Sequence, residues 1–139
     1  MKCIKSCGFV VYRQVDGQNH YLVIKSKNGD VGFPKGHMEC GESEIDTAIR
    51  ELKEETGVCV DVVAGFRRQI EYPLKNEPNA VKQAVYFLGE YSHGNVVCQE
   101  TEVEEAGFMP IGKVLDLLTF EETKAILKDA ERFVCSKNL

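Results

Sequence analysis

Residues 43–57 constrain the fold of this chain more than any other segment, because they carry a full set of signals for one helix. Ser43 can cap the first turn, and Asp46 stands three residues on to complete a capping box. Ile45, Ala48, Ile49 and Leu52 follow at i, i+3, i+4 and i+7, which places them on one apolar stripe. Gly57 supplies the stop, since glycine readily takes the left-handed conformation that ends a helix. A helix with one such stripe needs an apolar surface to lie on, and the flanking segments offer strands.

Residues 3–13 and 20–25 are rich in β-branched and aromatic residues, and Asp16-Gly17-Gln18-Asn19 between them reads as the turn of a hairpin. Asn28-Gly29-Asp30 is a second turn. The stretch 31–37 holds two glycines and a proline, which argues against a regular helix there. Further strands are expected at 58–64, 66–72 and 82–91, with Pro73 to Asn79 as the loop joining the last two, and at 106–111. Two helical patterns close the chain. One covers roughly 112–118; the other covers 121–136 and presents Ala125, Ile126, Ala130, Phe133 and Val134 on one side. The expected class is α/β, a mixed β-sheet sandwiched between helices. With 139 residues and neither a repeat nor a linker, residues 1–139 are expected to form one domain.

Seventeen Lys and Arg against 22 Asp and Glu leave a formal charge of −5, which argues against a nonspecific DNA or RNA coat. No apolar run approaches the roughly 18 residues of a membrane span, and the first residues lack a signal-peptide core. The expected location is the cytosol, with the nucleus open, and the expected state is a monomer. Six cysteines at 3, 7, 40, 59, 98 and 135 form no Cys-x-x-Cys pair and suggest neither a zinc module nor a disulfide scaffold. Cys3 and Cys7 share alternation parity on the first strand and read as small buried residues. The charge is unevenly spread: residues 1–41 carry six Lys or Arg and three Asp or Glu, whereas residues 42–55 carry six acids against Arg50 and Lys53.

That acidic segment carries the chemistry. Glu51, Glu54 and Glu55 stand at i, i+3 and i+4, within one turn, and the repulsion among them weakens an isolated helix by a few tenths of a kcal/mol per pair. Arg50 and Lys53 dilute that repulsion, so a solvated acidic face is the plain alternative. Glu42 just before the helix and the glycines of the preceding loop turn the cluster into an oxygen-rich site. Hard divalent cations prefer such ligands and commonly share them with substrate phosphates. Lys35 lies beside the cluster and can neutralise phosphate oxygens.

Residues 36–58, GHMECGESEIDTAIRELKEETGV, match all nine fixed positions of the 23-residue Nudix box. The flanking pattern of strands and helices also resembles the Nudix family over nearly the whole chain. The resemblance implies hydrolysis of a nucleoside diphosphate linked to another group. Glu51, Glu54 and Glu55 would bind Mg²⁺, with Mn²⁺ as a substitute, and one of them would deprotonate or orient water. Arg50 would hold the glutamates in position, Gly36 would allow a tight backbone turn, and Glu42 and Gly57 would complete the loop and helix end.

Outside the box, Phe33-Pro34-Lys35-Gly36-His37, Gly65-Phe66-Arg67-Arg68-Gln69-Ile70-Glu71-Tyr72 and Lys82 with Val85-Tyr86-Phe87-Leu88 resemble the asymmetrical diadenosine tetraphosphate hydrolases. So do Phe120, Lys124 and Leu127 and the run Phe133-Val134-Cys135-Ser136 near the end. By that resemblance Tyr72 and Phe133 would stack on adenine, Lys35, His37 and Lys82 would meet the polyphosphate, and Glu102 would add a metal ligand, with Glu104 and Glu105 competing for that role. The chain departs from the pattern at Val31, Cys40 and Val103. The expected activity is asymmetrical cleavage of a small dinucleoside polyphosphate to ATP and AMP. Diphosphoinositol polyphosphate or RNA 5′-pyrophosphate hydrolysis is the alternative within the family, and a noncatalytic nucleotide-sensing module is the alternative outside it.

Overall fold

A computed structural model describes residues 2–74, 77–98 and 103–137. Strands β1 (Lys2–Val15), β2 (Gln18–Ser26), β3 (Val31–Gly32), β4 (Lys35–His37), β5 (Cys59–Leu74), β6 (Glu77–His93) and β7 (Val103–Pro110) form one sheet. Helices α1 (Glu44–Thr56), α2 (Ile111–Leu117) and α3 (Glu121–Lys137) cover it. The sheet runs β3-β2-β1-β6-β5, with β4 on β1 and β7 on β2. Among the described residues only β1 and β6 pair in parallel and the other pairings are antiparallel, which makes the sheet mixed as expected.

The first turn is tighter than its four candidate residues suggest. Val15 pairs with Gln18, so Asp16 and Gly17 alone make the turn, at φ 53° and 78°. Two positive φ values are what a hairpin turn matched to strand twist requires. Along β1 the pleat sends successive side chains to opposite faces. Cys7, Phe9 and Val11 pack with Ala48 and Leu52 of α1, whereas Val10 and Tyr12 pack with Val114 of α2 and with Ile126, Leu127, Ala130 and Val134 of α3. The sheet is thus buried on both faces, and each large aliphatic side chain removed from water there contributes about 1.5–3 kcal/mol before entropy is counted.

Four expectations are corrected. Residues 58–64 and 66–72 belong to one bent strand: the β5–β6 register jumps between Val63 and Arg67, and Gly65 sits at φ 92°, so the glycine marks a bulge. The 73–79 loop is shorter, because Pro73 pairs with Val81 and Leu74 with Glu77. Ile49 leaves the helix stripe and is 46% exposed, while Thr47, Glu55 and Thr56 are buried. In α3, Ala125 is exposed and Leu127 takes its place in the core. Both helix errors are a rotation of the buried arc, which periodicity fixes only to within a neighbouring position. Cys7 is fully buried as expected, and burial pushes its thiol up to about 11. Cys7, Cys40, Cys59, Cys98 and Cys135 are free thiols, and the side chain of Cys3 lies outside the described set.

Candidate active site

The site begins with how α1 starts. Ser43 Oγ accepts from the Asp46 N–H and Asp46 Oδ2 accepts from the Ser43 N–H, so the capping box expected from sequence is formed. Gly57 ends the helix at φ 76°, its N–H donating to the Lys53 carbonyl. These two ends set the extent of the helix that carries Glu51, Glu54 and Glu55.

Arg50 is the organising cation. Its Nε and Nη2 donate to the two oxygens of Glu42 at 2.6 and 2.9 Å, and Nη2 also donates to the His37 carbonyl at 3.0 Å. Its Nη1 reaches Glu54 at 3.2 Å, Glu51 at 3.5 Å and Glu39 at 3.6 Å. Glu42 also accepts from the Glu39 N–H and the Thr47 hydroxyl, each at 2.9 Å. The Arg50 hydrogen bonds, followed by the one from Glu39, hold the Glu42 carboxyl down at about 2. With its oxygens engaged in this way, Glu42 anchors Arg50 rather than joining an open oxygen-rich set.

Gly36 has a role other than the expected turn. It lies within β4, paired with Cys7, and its φ is not positive. A Cβ there would stand 1.7 Å from Glu51 Oε2, so the missing side chain lets the Glu51 carboxylate lie against the strand. Gly8 has a matching effect on β1, where a Cβ would meet the Pro34 carbonyl at 2.1 Å and Lys35 Cβ at 2.6 Å. The two glycines bring β4 close to β1 and α1 close to β4.

Glu51, Glu54 and Glu55 line one cleft of about 880 Å³ together with Lys35, Gly36, His37, Arg50 and Lys82. That volume suits a nucleotide-sized ligand. The three carboxylates differ in setting: Glu55 is only 8% exposed, Glu54 lies at the surface, and Glu51 is intermediate. Across from them, burial and then the Lys82 ammonium lower the Lys35 ammonium to about 8, with the Glu55 charge opposing. Burial, Lys82 and Lys35 likewise lower His37. Lys82 sits 47 positions from Lys35 in the chain, and β6 running parallel to β1 brings it there. Two lysines that share a cleft, with Lys35 lowered by burial and by its neighbour, make a place for a polyanion.

Among the described residues, no three carboxylate, imidazole or thiol groups stand close enough to form a ready-made metal cage. The donor chemistry nonetheless suits a hard cation: carboxylate oxygens face the cleft, and Gly36 leaves room for Glu51. Arg50, already bonded to Glu54 and close to Glu51, would share those carboxylates with an ion.

Other expected site residues fall differently. Glu102 and the side chain of Tyr72 lie outside the described residues, although the Tyr72 backbone pairs with Lys82. Glu104 and Glu105 are exposed on β7, and neither lines this cleft. Phe133 does not line it either. Its ring meets Phe66 edge-on at 5.6 Å, it packs over Gly65, and Lys137 Nζ lies over the ring at 5.4 Å. Three described aromatic residues line the cleft: Phe33 and Tyr86, both buried, and Phe120, which is 51% exposed and shares the lining with Val31, Glu122 and Thr123. Phe120 stands at the head of the expected 121–136 helix in the sequence, but nothing local distinguishes an exposed phenylalanine there from a core residue.

The family model described as the NUDIX domain matches residues 7–130. The asymmetrical bis(5′-nucleosyl)-tetraphosphatase of Rattus norvegicus is 30% identical over 145 residues, covering 96% of this chain and 97% of the relative. The enzyme of the same name from Mus musculus is 28% identical over 151 residues, with the same coverage. Among solved structures, a binary complex of a C. elegans Ap4A hydrolase superposes with a TM-score of 0.87 at 22% identity, covering 96% of this chain and 98% of that one. The mixed sheet between helices, the Arg50-centred carboxylate helix and a family match over nearly the whole length agree: this chain belongs to the NUDIX family.

Proposed function

We propose that this protein is a Mg²⁺-dependent hydrolase that cleaves diadenosine tetraphosphate asymmetrically, water adding across one phosphoanhydride to give ATP and AMP. The observation that carries the reading is one cleft that holds a carboxylate row, a lysine pair and an exposed aromatic edge. Relatives named as asymmetrical tetraphosphatases align over nearly all of both chains and support the choice of substrate.

Glu51, Glu54, Glu55 and Glu102 would hold the Mg²⁺ ions, with Mn²⁺ as a substitute. When bound, such an ion neutralises phosphate charge and lowers the pKa of a coordinated water. The chain's own groups do the rest. Arg50 orients Glu51 and Glu54, with Glu42 as its fixed counter-charge. Lys35, Lys82 and His37 receive the polyphosphate, and the electrostatic strain between the lysines is relieved when phosphate oxygens arrive. Phe120 offers a face for one nucleobase, a contact worth about 1–3 kcal/mol, and Tyr72 is the second candidate platform. Little covalent protein chemistry is needed, because phosphoryl transfer is governed by positioning and charge. We place the enzyme in the cytosol as a single-domain monomer acting on a small molecule.

The test is a product panel. Incubated with Mg²⁺ and diadenosine tetraphosphate, the protein should yield ATP plus AMP. Two ADP would overturn the asymmetrical assignment. Faster turnover of diphosphoinositol polyphosphates or 5′-triphosphorylated RNA would reassign the substrate. Failure on every polyphosphate would leave a nucleotide-binding module.

A further inference from the structure

The cleft edge that carries Phe120 is built from two segments far apart in sequence, and Thr119 bonds one to the other. Thr119 lies in the turn between α2 and α3. Its Oγ1 accepts from the Val31 N–H at 2.8 Å, and its own N–H donates to the Val31 carbonyl at 3.2 Å. Val31 begins the two-residue strand β3, whose backbone pairing is confined to β2 through Ile24 and Lys25. On the other side, the Phe120 carbonyl accepts from the Thr123 hydroxyl at 2.7 Å and from the Lys124 N–H at 3.3 Å. The backbone on both sides of Phe120 is therefore held, while half of the side chain stays open to solvent.

An exposed ring on a pinned backbone loses little freedom when a flat ligand covers it, which is how preorganisation raises affinity. We propose that Thr119 is a positioning residue for the nucleobase. By bonding both polar backbone groups of Val31, it holds Phe120 beside Val31 at the end of the cleft. This rests on the reading above that the Phe120 edge receives a base. Thr119 itself does not touch the ligand and acts through Phe120 and Val31. The lysine end of the cleft, which receives phosphate, is held separately by β4, β1 and β6, so the two parts of a nucleotide respond differently to a change at Thr119.

The experiment compares Thr119→Val, Thr119→Ala and Thr119→Ser. Val and Ala remove the Oγ1 acceptor, and Ser restores it. Each protein is titrated with a nonhydrolysable ATP analogue and with inorganic triphosphate, and each is assayed for kcat and KM on diadenosine tetraphosphate. The expected result for Val and Ala is a roughly 5- to 20-fold loss of affinity for the analogue and a similar rise in KM. The triphosphate affinity and kcat should stay within twofold, and Ser should recover the parent values. Circular dichroism melting checks that all three variants fold. Unchanged analogue affinity in Val and Ala, or an equal loss for triphosphate, overturns the role of Thr119. If the parent protein binds the analogue no better than triphosphate, the base site itself is refuted, and Thr119 with it.

Discussion

Gly36→Ala separates the position of one carboxylate from the stability of the fold. The new Cβ would lie 1.7 Å from Glu51 Oε2 and 2.0 Å from Cδ. Ordinary contact begins near 3.4 Å, so the carboxylate must retreat by about 1.7 Å. The backbone does not object, because Gly36 is in an extended strand with no positive φ, and Gly→Ala at a compatible site even stabilises by about 0.4–1 kcal/mol through the unfolded chain. The clash runs from Oε2 back to Cγ at 2.6 Å but stays within the one flexible Glu51 side chain, which can swing aside, so a melting shift of a few degrees at most is expected. Function should respond far more. Misplacement of a reacting group by about 1 Å can cost on the order of 100-fold in rate, so kcat on diadenosine tetraphosphate should fall by roughly that factor while KM changes little. A double-mutant cycle completes the argument. In a Glu51→Ala background the added methyl has no carboxylate to displace, and Gly36→Ala should then cost almost nothing further. A Gly36→Ala enzyme that keeps half its kcat, or that loses activity equally with or without Glu51, would refute the reasoning.

Glu54→Gln and Glu55→Gln should each lower kcat by orders of magnitude with a modest effect on KM, as removal of a transition-state interaction requires; near-normal steady-state kinetics in both would sink the metal assignment. Phe120→Ala should raise KM by about 5- to 150-fold from loss of a base contact of about 1–3 kcal/mol. Phe133→Ala should instead lower the melting temperature and leave KM alone, because its ring packs on Phe66. For pH, Lys35 sits at about 8 in the folded protein against 10.5 for a free lysine. Its positive charge is therefore present below about pH 8 and is lost above it, so log kcat/KM should fall with rising pH beyond that point, and Lys35→Met should abolish that limb. The same shift has the opposite sense for stability. Between about pH 8 and 10.5 the unfolded chain binds the extra proton, so this group's contribution to apo-protein stability rises with pH there, which urea melts at several pH values would check.

The parts of the site that were legible in the sequence are those encoded within one or two helical turns. A capping box, a terminal glycine and a 3.6-residue period are local signals, so α1, its ends and the grouping of Glu51, Glu54 and Glu55 follow from residues 43–57 alone. The link between Arg50 and the glutamates is equally local. The hairpin at Asp16-Gly17 was legible for the same reason, since positive φ at two successive residues is a property of the turn itself.

Only the tertiary structure decided how far each carboxylate is buried. The helix pattern did not show that Ile49 faces out and Glu55 in, because that depends on where the sheet meets the helix. Nor did spacing reveal that Gly36 serves the approach of Glu51 rather than a turn, or that Phe120 rather than Phe133 reaches the cleft. Lys35 and Lys82 were each visible, but the effect of Lys82 on Lys35 comes from the parallel alignment of β1 with β6. Local sequence sets which backbone conformations and side-chain periods are available. Which of the resulting faces is enclosed depends on segments distant in the chain, and on burial and charge that exist only once those segments meet.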